Sequence, residues 1–170
     1  AIIQSGFDFP AKKITVNLAP ADLPKESGRF DLPIALGILA ASGQINPEKL
    51  AQYEFAGELA LSGLLRPVRG ALAMAWQGMQ AGRSFVLPQE NAEQAAVMRG
   101  IAVYGARSLG EVAAHLNGIE PLTQTECKLT QRPSEQSKIP DLADVKGQHT
   151  ARLALEIAAA GGHSLLMMGP

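Results

Sequence analysis

A mixed α/β (α+β) domain followed by the opening of a second domain is the fold class this sequence predicts, and three observations predict it. From Gly70 onward, helical and strand patterns alternate as helix, strand, helix, strand, helix, the arrangement that builds a layered α/β core. Between Ile119 and Pro140 the apolar periodicity vanishes, and Pro121, Pro133 and Pro140 stand among Thr, Gln, Ser and mixed charges, the signature of a linker. From Asp141 order resumes with an alanine-rich segment, two glycines and a short apolar run ending at Gly169-Pro170. The predicted boundaries are a first domain over 1–118, a linker over 119–140 and the start of a second domain over 141–170.

The elements follow in order. Ile14, Val16 and Leu18 alternate with polar residues, which predicts a strand over 14–18 with those three on one face. After a polar loop over 21–30, Asp31 is placed to cap an apolar helix over 32–41. Pro33 sits in its first turn, where the missing N–H costs nothing. Ser42-Gly43 ends it. A hairpin is expected next, Tyr53 to Leu61 returning as Leu64 to Val68 across Ser62-Gly63. The helix that starts at Gly70 presents Leu72, Ala75, Trp76 and Met79 at i, i+3, i+4, i+7, an apolar stripe expected to face the core. A strand over 84–87, a helix over 90–99, a strand over 101–104 and a helix from Ser108 complete the domain. Ser108 and Glu111 form the S-x-x-E pattern of a capping box, and Gly118 stops the helix. In the second domain a helix over 147–160 and a buried strand over 164–168 are expected.

Composition narrows the function. The chain has 170 residues, 46% hydrophobic and 18% charged, which suits a folded core rather than a disordered segment. Fifteen basic against 16 acidic side chains give a net charge of −1, so no global field draws in nucleic acid or an anionic membrane. Any nucleic-acid contact is therefore local. The lone Cys127 has no internal partner and suits the cytosol. No run reaches the ~20 apolar residues of a membrane span. The start Ala1-Ile2-Ile3 has neither an initiator methionine nor a signal core, which suggests a piece cut at both ends.

Four constellations bear on chemistry. A helix, two glycines, an apolar strand and a terminal Gly-Pro resemble the approach to a phosphate loop, but the lysine and hydroxyl of G-x-x-x-x-G-K-[ST] are not among these residues. Lys25 and Ser27 suggest a Ser-Lys pair, yet residues two apart in a loop seldom face each other, and plain loop polarity is the better reading. His115, His149 and His163 have no cysteine or paired carboxylate at metal-ligand spacing, so no metal is assigned. Arg66, Arg69, Arg83, Arg99 and Arg107 make a phosphate-binding face only if the fold gathers them.

Read together, these residues resemble the Mg-chelatase-like ATPases of the competence protein ComM group. The resemblance runs through Ile14-Thr15-Val16-Asn17-Leu18-Ala19-Pro20-Ala21-Asp22-Leu23-Pro24-Lys25, Gly28-Arg29-Phe30-Asp31-Leu32-Pro33, Phe55-Ala56-Gly57-Glu58-Leu59, Asp144-Val145-Lys146-Gly147-Gln148 and Ala158-Ala159-Ala160-Gly161-Gly162-His163. Ser27 stands where the family has a second glycine. The resemblance implies a first domain with the fold of the Lon protease C-terminal domain, and a truncated start of an AAA+ P-loop domain behind it. The Lon serine position falls at Phe30 or Asp31 and the lysine position near Leu72, so the resemblance implies no peptidase activity. It places Asp144, Val145, Gly147 and Gln148 near the adenine side of a nucleotide site, and Gly169 and Pro170 at the start of its phosphate loop. ATP and Mg²⁺ are the implied cofactors of the intact protein, with none on this piece and no hydrolysis by it. The implied parent is a cytoplasmic, ring-forming motor that acts on DNA in recombination during natural transformation. In that reading the first domain docks on DNA, a partner or the ring, without a membrane, and the isolated piece is monomeric. The alternatives are a chelatase motor subunit that remodels a protein partner, and a protein-binding scaffold.

Overall fold

The computed structural model describes residues 1–18, 28–127 and 141–169. The chain forms two compact units, Ala1–Leu129 and Thr130–Pro170.

The first unit is a mixed α/β structure around a three-stranded parallel sheet. Its strands are β1 (Tyr53–Phe55), β4 (Ser84–Pro88) and β5 (Val103–Ala106), in the order β1-β4-β5. Tyr53 pairs with Ser84, and Phe85 pairs with Val103. A separate antiparallel pair joins β2 (Glu58–Leu59) to β3 (Leu65–Arg66). Among the described residues four helices flank the sheet: α1 (Asp31–Ala41), α2 (Ala71–Gln80), α3 (Gln89–Ala95) and α4 (Leu109–Asn117).

β4 explains why there are two cores. It is the middle strand, and Phe85, Val86 and Leu87 are all fully buried, as the uninterrupted apolar run Phe85-Val86-Leu87 requires of a strand covered on both faces. Because side chains alternate along a strand, Val86 joins Leu32, Leu36 and Leu39 of α1 and Leu109, Val112 and Leu116 of α4. Phe85 and Leu87 point the other way, to Ala71 and Ala75 of α2 and Ala92 and Ala95 of α3. One core is therefore leucine-rich and the other is a phenylalanine set among alanines.

Several expectations are corrected. The stretch 53–61 is not one strand. Gly57 breaks it by donating to Arg29 O (3.0 Å) and accepting from Leu32 N–H (3.0 Å), so its two halves join different sheets. A side chain at 57 would meet Leu65 Cδ2 at 2.8 Å and Leu32 Cβ at 3.3 Å, which is why the crossing requires glycine. Asp31 is not a cap but the first helical residue, and its Oδ2 accepts from Leu59 N–H (3.2 Å). Residues 14–18 form no strand: no ladder partner lies beside them among the described residues, and Ile14 and Val16 are exposed. β5 begins two residues later than expected and α3 ends at Ala95.

α2 keeps only Ala75 of its expected core stripe fully buried. Its buried residues are Ala71, Ala75 and Gly78, whereas Leu72 and Trp76 are 39% and 45% exposed. Bulk predicts the core face on hydrophobicity alone; here the small side chains face inward because the helix lies close against the sheet and α3.

The capping box at α4 forms, with one shift. Ser108 Oγ accepts from Glu111 N–H (3.2 Å), and Glu111 Oε2 accepts from the N–H of Arg107 (2.8 Å), one residue before the cap. Gly118 closes the helix in the left-handed conformation, φ 73°.

In the second unit, a 3₁₀ turn (Leu142–Asp144) leads to α5 (His149–Gly161), which Gly162 ends with φ 63°. The expected strand over 164–168 is not formed. No neighbouring strand is present among the described residues, and Leu166 and Met168 are 84% and 90% exposed. Among the described residues no helix is long and apolar enough to cross a membrane.

Candidate functional site

Because β1, β4 and β5 are parallel, they end together at Phe55, Pro88 and Ala106. In open α/β sheets this carboxyl edge is where ligands collect. Three loops are tied there. Gly57 N–H donates to Arg29 O (3.0 Å), which brings in the 28–30 turn. Leu65 N–H donates to Arg107 O (2.8 Å), which brings in the β2–β3 hairpin. Asn91 holds the chain entering α2, with Oδ1 accepting from Val68 N–H (2.8 Å) and Nδ2 donating to Val68 O (3.1 Å).

These ties divide the five arginines. Arg66, Arg69 and Arg107 gather at the carboxyl edge, whereas Arg83 and Arg99 precede β4 and β5 and lie toward the opposite edge. The single five-arginine face is therefore not formed. Arg83 is also engaged, with Nη1 2.7 Å from Glu54 Oε1, while Arg66 Nη1 is a loose 3.8 Å from Glu58 Oε1. Arg69 and Arg107 are exposed. A pair at 3.8 Å in solvent contributes little, so Arg66 can be drawn to a phosphate at small cost.

Arg29, expected as a polar loop residue beside Lys25 and Ser27, is brought to the same edge by its carbonyl. Its guanidinium lies 4.8 Å from the Phe30 ring centroid, a cation–π distance. Its Nε is buried without a hydrogen-bond partner among the described residues. The spacing Gly28-Arg29-Phe30-Asp31 held no hint of this, because the approach of Arg29 depends on Gly57, which is distant in sequence.

The resemblance in sequence put the expected serine position at Phe30 or Asp31 and the expected lysine position near Leu72. Phe30 is half-buried, Asp31 is held by Leu59 N–H, and Leu72 stands exposed on α2. Phenylalanine and leucine cannot deliver or accept a proton, and no hydroxyl or amine stands at these three positions. Lys25 and Ser27 lie outside the described residues.

The predicted nucleotide residues belong to the second unit. Asp141 Oδ1 accepts from Ala143 N–H (2.9 Å) and fixes the turn that ends at Asp144. Val145 is extended, then Gly147 and Gln148 both take left-handed conformations, φ 68° and 49°. Gln148 is the one non-glycine with positive φ among the described residues, a conformation that costs a glutamine energy and is kept where the turn demands it. Its carbonyl accepts from Arg152 N–H (3.0 Å) and opens α5. Asp144, Val145, Gly147 and Gln148 thus form one continuous entry to the helix. Gly169 follows the other end of α5, exposed, with open space around it; Pro170 lies outside the described residues.

Comparison with known proteins places this arrangement. Residues 1–91 match the family described as subunit ChlI of Mg-chelatase, and residues 141–170 match that of magnesium chelatase, subunit ChlI. The chain is 49% identical over 170 residues to the uncharacterized protein YifB of Salmonella typhimurium, and 46% identical over 172 residues to the competence protein ComM of Haemophilus influenzae. It is 36% identical over 171 residues to an uncharacterized protein of Mycobacterium bovis. Each alignment covers the whole of this chain and 33 to 34% of the relative, so the chain spans about a third of the length of the curated relatives it matches. The chain belongs to the Mg-chelatase subunit ChlI family and is a ComM-type, Mg-chelatase-like protein.

Proposed function

We propose that this chain is part of an ATP-driven, ring-forming DNA-processing motor of the AAA+ class, acting in recombination during natural transformation. Its first unit is a non-proteolytic docking module of Lon-protease-like fold. The observation that carries the DNA reading is the gathering of Arg66, Arg69 and Arg107 at the carboxyl edge of the sheet. Guanidinium groups bind phosphate oxygens through paired N–H donors, and three of them with no global positive field make a local contact for a phosphate backbone. Phe30, Asp31 and Leu72 supply neither the serine nor the lysine of a Lon-type protease, which supports the non-proteolytic reading.

ATP and Mg²⁺ are the cofactors of the intact protein in this reading. The residues present fit one part of that task. Asp144, Val145, Gly147 and Gln148 offer backbone groups in a fixed turn, and Gly169 and Pro170 begin the phosphate loop. The loop lysine and the hydroxyl for Mg²⁺ are not among the 170 residues. When bound, the nucleotide supplies phosphoryl transfer to drive conformational change. We expect no ATP hydrolysis by this chain alone.

The test is fluorescence anisotropy of labelled single-stranded and forked DNA at about 50 and 200 mM salt. With three phosphate contacts on a single strand, affinity falls as roughly the second power of salt, about 16- to 20-fold over that range. Replacing Arg66, Arg69 and Arg107 together by alanine removes most of that dependence and weakens binding at least about tenfold at the lower salt. The Arg83→Ala, Arg99→Ala pair changes it by less than about threefold, because those residues occupy the opposite edge. Equal losses from both sets, or no binding at all, reject the assignment to the carboxyl edge. The family description, a subunit of Mg-chelatase, fits one other reading: a chelatase motor subunit that remodels a protein partner. Absence of DNA binding by both this chain and the whole protein is the result expected from it.

A further inference from the structure

We propose that His115 is a proton-sensitive latch: when neutral it pins residues 121–125 along the edge of β5, and when protonated it lets them go. These residues lie within the stretch whose composition reads as linker, yet they lie on the first unit. Gly118 turns the chain back at the end of α4, so that the N–H groups of Ile119 and Glu120 both reach Ala114 O (2.9 and 3.4 Å). Leu122 N–H then donates to His115 Nδ1 (3.0 Å), and Leu122 packs on the leucine-rich core. Thr125 N–H donates to Val103 O (2.7 Å), and Gln124 bridges antiparallel to Tyr104. In the order β1-β4-β5, β5 is an outer strand. The strap therefore covers a row of backbone groups that otherwise offers itself for pairing.

The partners fix the tautomer. A backbone amide only donates, so Nδ1 must be the bare, accepting nitrogen and Nε2 carries the hydrogen. Nε2 faces the Tyr53 hydroxyl at 3.1 Å. A second proton has one place to go, Nδ1, where it meets the Leu122 N–H donor against donor. The latch is lost in that event, while the Tyr53 contact survives because a hydroxyl still accepts from Nε2–H.

The surroundings favour the neutral ring. Tyr53 and Tyr104 pack on it with centroids 5.4 Å away. Burial first, and then the nearby Lys49 ammonium, hold the imidazole below its ordinary value of 6.5. Burial of the Tyr53 phenol, helped by Tyr104, pushes that group up, so it stays protonated throughout the relevant range. Glu120 belongs to the strap itself and is exposed. The dipole at the end of α4 pulls the other way and favours a cation there. The sign follows from the lowered value: the unfolded or released state binds the proton more readily. The strap's hold is therefore complete above about pH 6.5 and is lost as pH falls through the native range of His115. Release frees residues 121–125, whereas Ile119 and Glu120 keep their bonds to Ala114 O.

Residue-resolved amide exchange on this chain between pH 7.5 and 5, corrected for intrinsic rates, tests the latch. Leu122 and Thr125 are expected to lose protection progressively as pH falls from 7 to 5, while Val86 in β4 keeps its own. His115→Gln offers an acceptor that does not titrate, and its Leu122 protection stays flat across the range. Constant protection of Leu122 in the wild type overturns the proposal, as does an equal loss in the glutamine variant or a loss shared by Val86. Should the variant fail to fold, the wild-type ring nitrogens decide by NMR. A bare Nδ1 at pH 7 that gains its proton as Leu122 protection falls supports the latch, and a protonated Nδ1 at pH 7 overturns it.

Discussion

Replacing Phe85 by alanine is expected to cost the first unit about 3–5 kcal/mol, the range for emptying an aromatic site in a packed core. Phe85 is 1% exposed, in the middle strand of the parallel sheet. Its buried neighbours in that core are mostly alanines, Ala56, Ala71, Ala75, Ala92 and Ala95 with Leu87 and Val103, and the half-buried Val68, Met74, Met98 and Ile101 pack against them. Alanines have no side-chain freedom with which to close a gap, and the two helices that carry four of them are anchored at the Asn91–Val68 contacts. The alanines leave the void to be closed only in part by the half-buried Met74, Met98 and Ile101, which places the loss within that range. For a unit of this size that is a fall in Tm of about 10–20 °C. Phe9, which is 53% exposed, supplies the control, and Phe9→Ala is expected to stay within about 0.5 kcal/mol. Circular dichroism melts of both variants check the pair. A Phe85→Ala loss below about 1 kcal/mol means that this alanine-rich layer is not the close-packed core described above.

The sheet layer was legible because its signal is local. Phe85-Val86-Leu87 is an uninterrupted apolar run between Ser84 and Pro88, with the length and the aromatic and β-branched content of a strand buried on both faces. Ser108-x-x-Glu111 and Gly118 likewise announce both ends of α4 within a few residues. What failed depended on contacts distant in sequence. Gly57 breaks an apparently continuous strand because Arg29 O and Leu32 N–H are waiting for it. Residues 14–18 and 164–168 alternate or run apolar as strands do, but strandhood belongs to a pair, and neither has a partner among the described residues. A hydrophobic pattern records the capacity to pair and not the pairing.

The same distinction governs the candidate site. Five scattered arginines carried no order in sequence; the parallel direction of β4 and β5 puts Arg107 at one edge and Arg83 and Arg99 at the other, and the Leu65–Arg107 and Asn91–Val68 contacts bring Arg66 and Arg69 to the first. Arg107 and Arg83 thus face different solvent although both flank a strand. His115 was read as a residue without ligand spacing, which is correct for a metal and silent about Leu122 N–H and the Tyr53 hydroxyl. The first of these partners is a backbone group, and no side-chain pattern reports it.

The orientation of α2 yields the sharper test of the fold, because pattern and structure order two substitutions oppositely. If Leu72 and Trp76 faced the core, Trp76→Ala would cost about 3–5 kcal/mol, and a larger residue at 75 would be tolerated at the stripe's edge. With Trp76 45% exposed and Ala75 fully buried, the order inverts. Trp76→Ala is expected to cost about 1 kcal/mol or less, because much of the indole is already in water. Ala75→Leu forces three additional carbons into a contact where helix and sheet already touch, and is expected to cost about 1–3 kcal/mol. Since Trp76 is the sole tryptophan, unfolding of both variants is followed by far-ultraviolet circular dichroism rather than fluorescence. A larger loss for Trp76→Ala than for Ala75→Leu would mean that α2 is turned about its axis by roughly a third of a turn, with Arg69 at its entry reoriented as well. The arginine edge depends on that orientation, so the same pair of melts bears on where a phosphate backbone can be held.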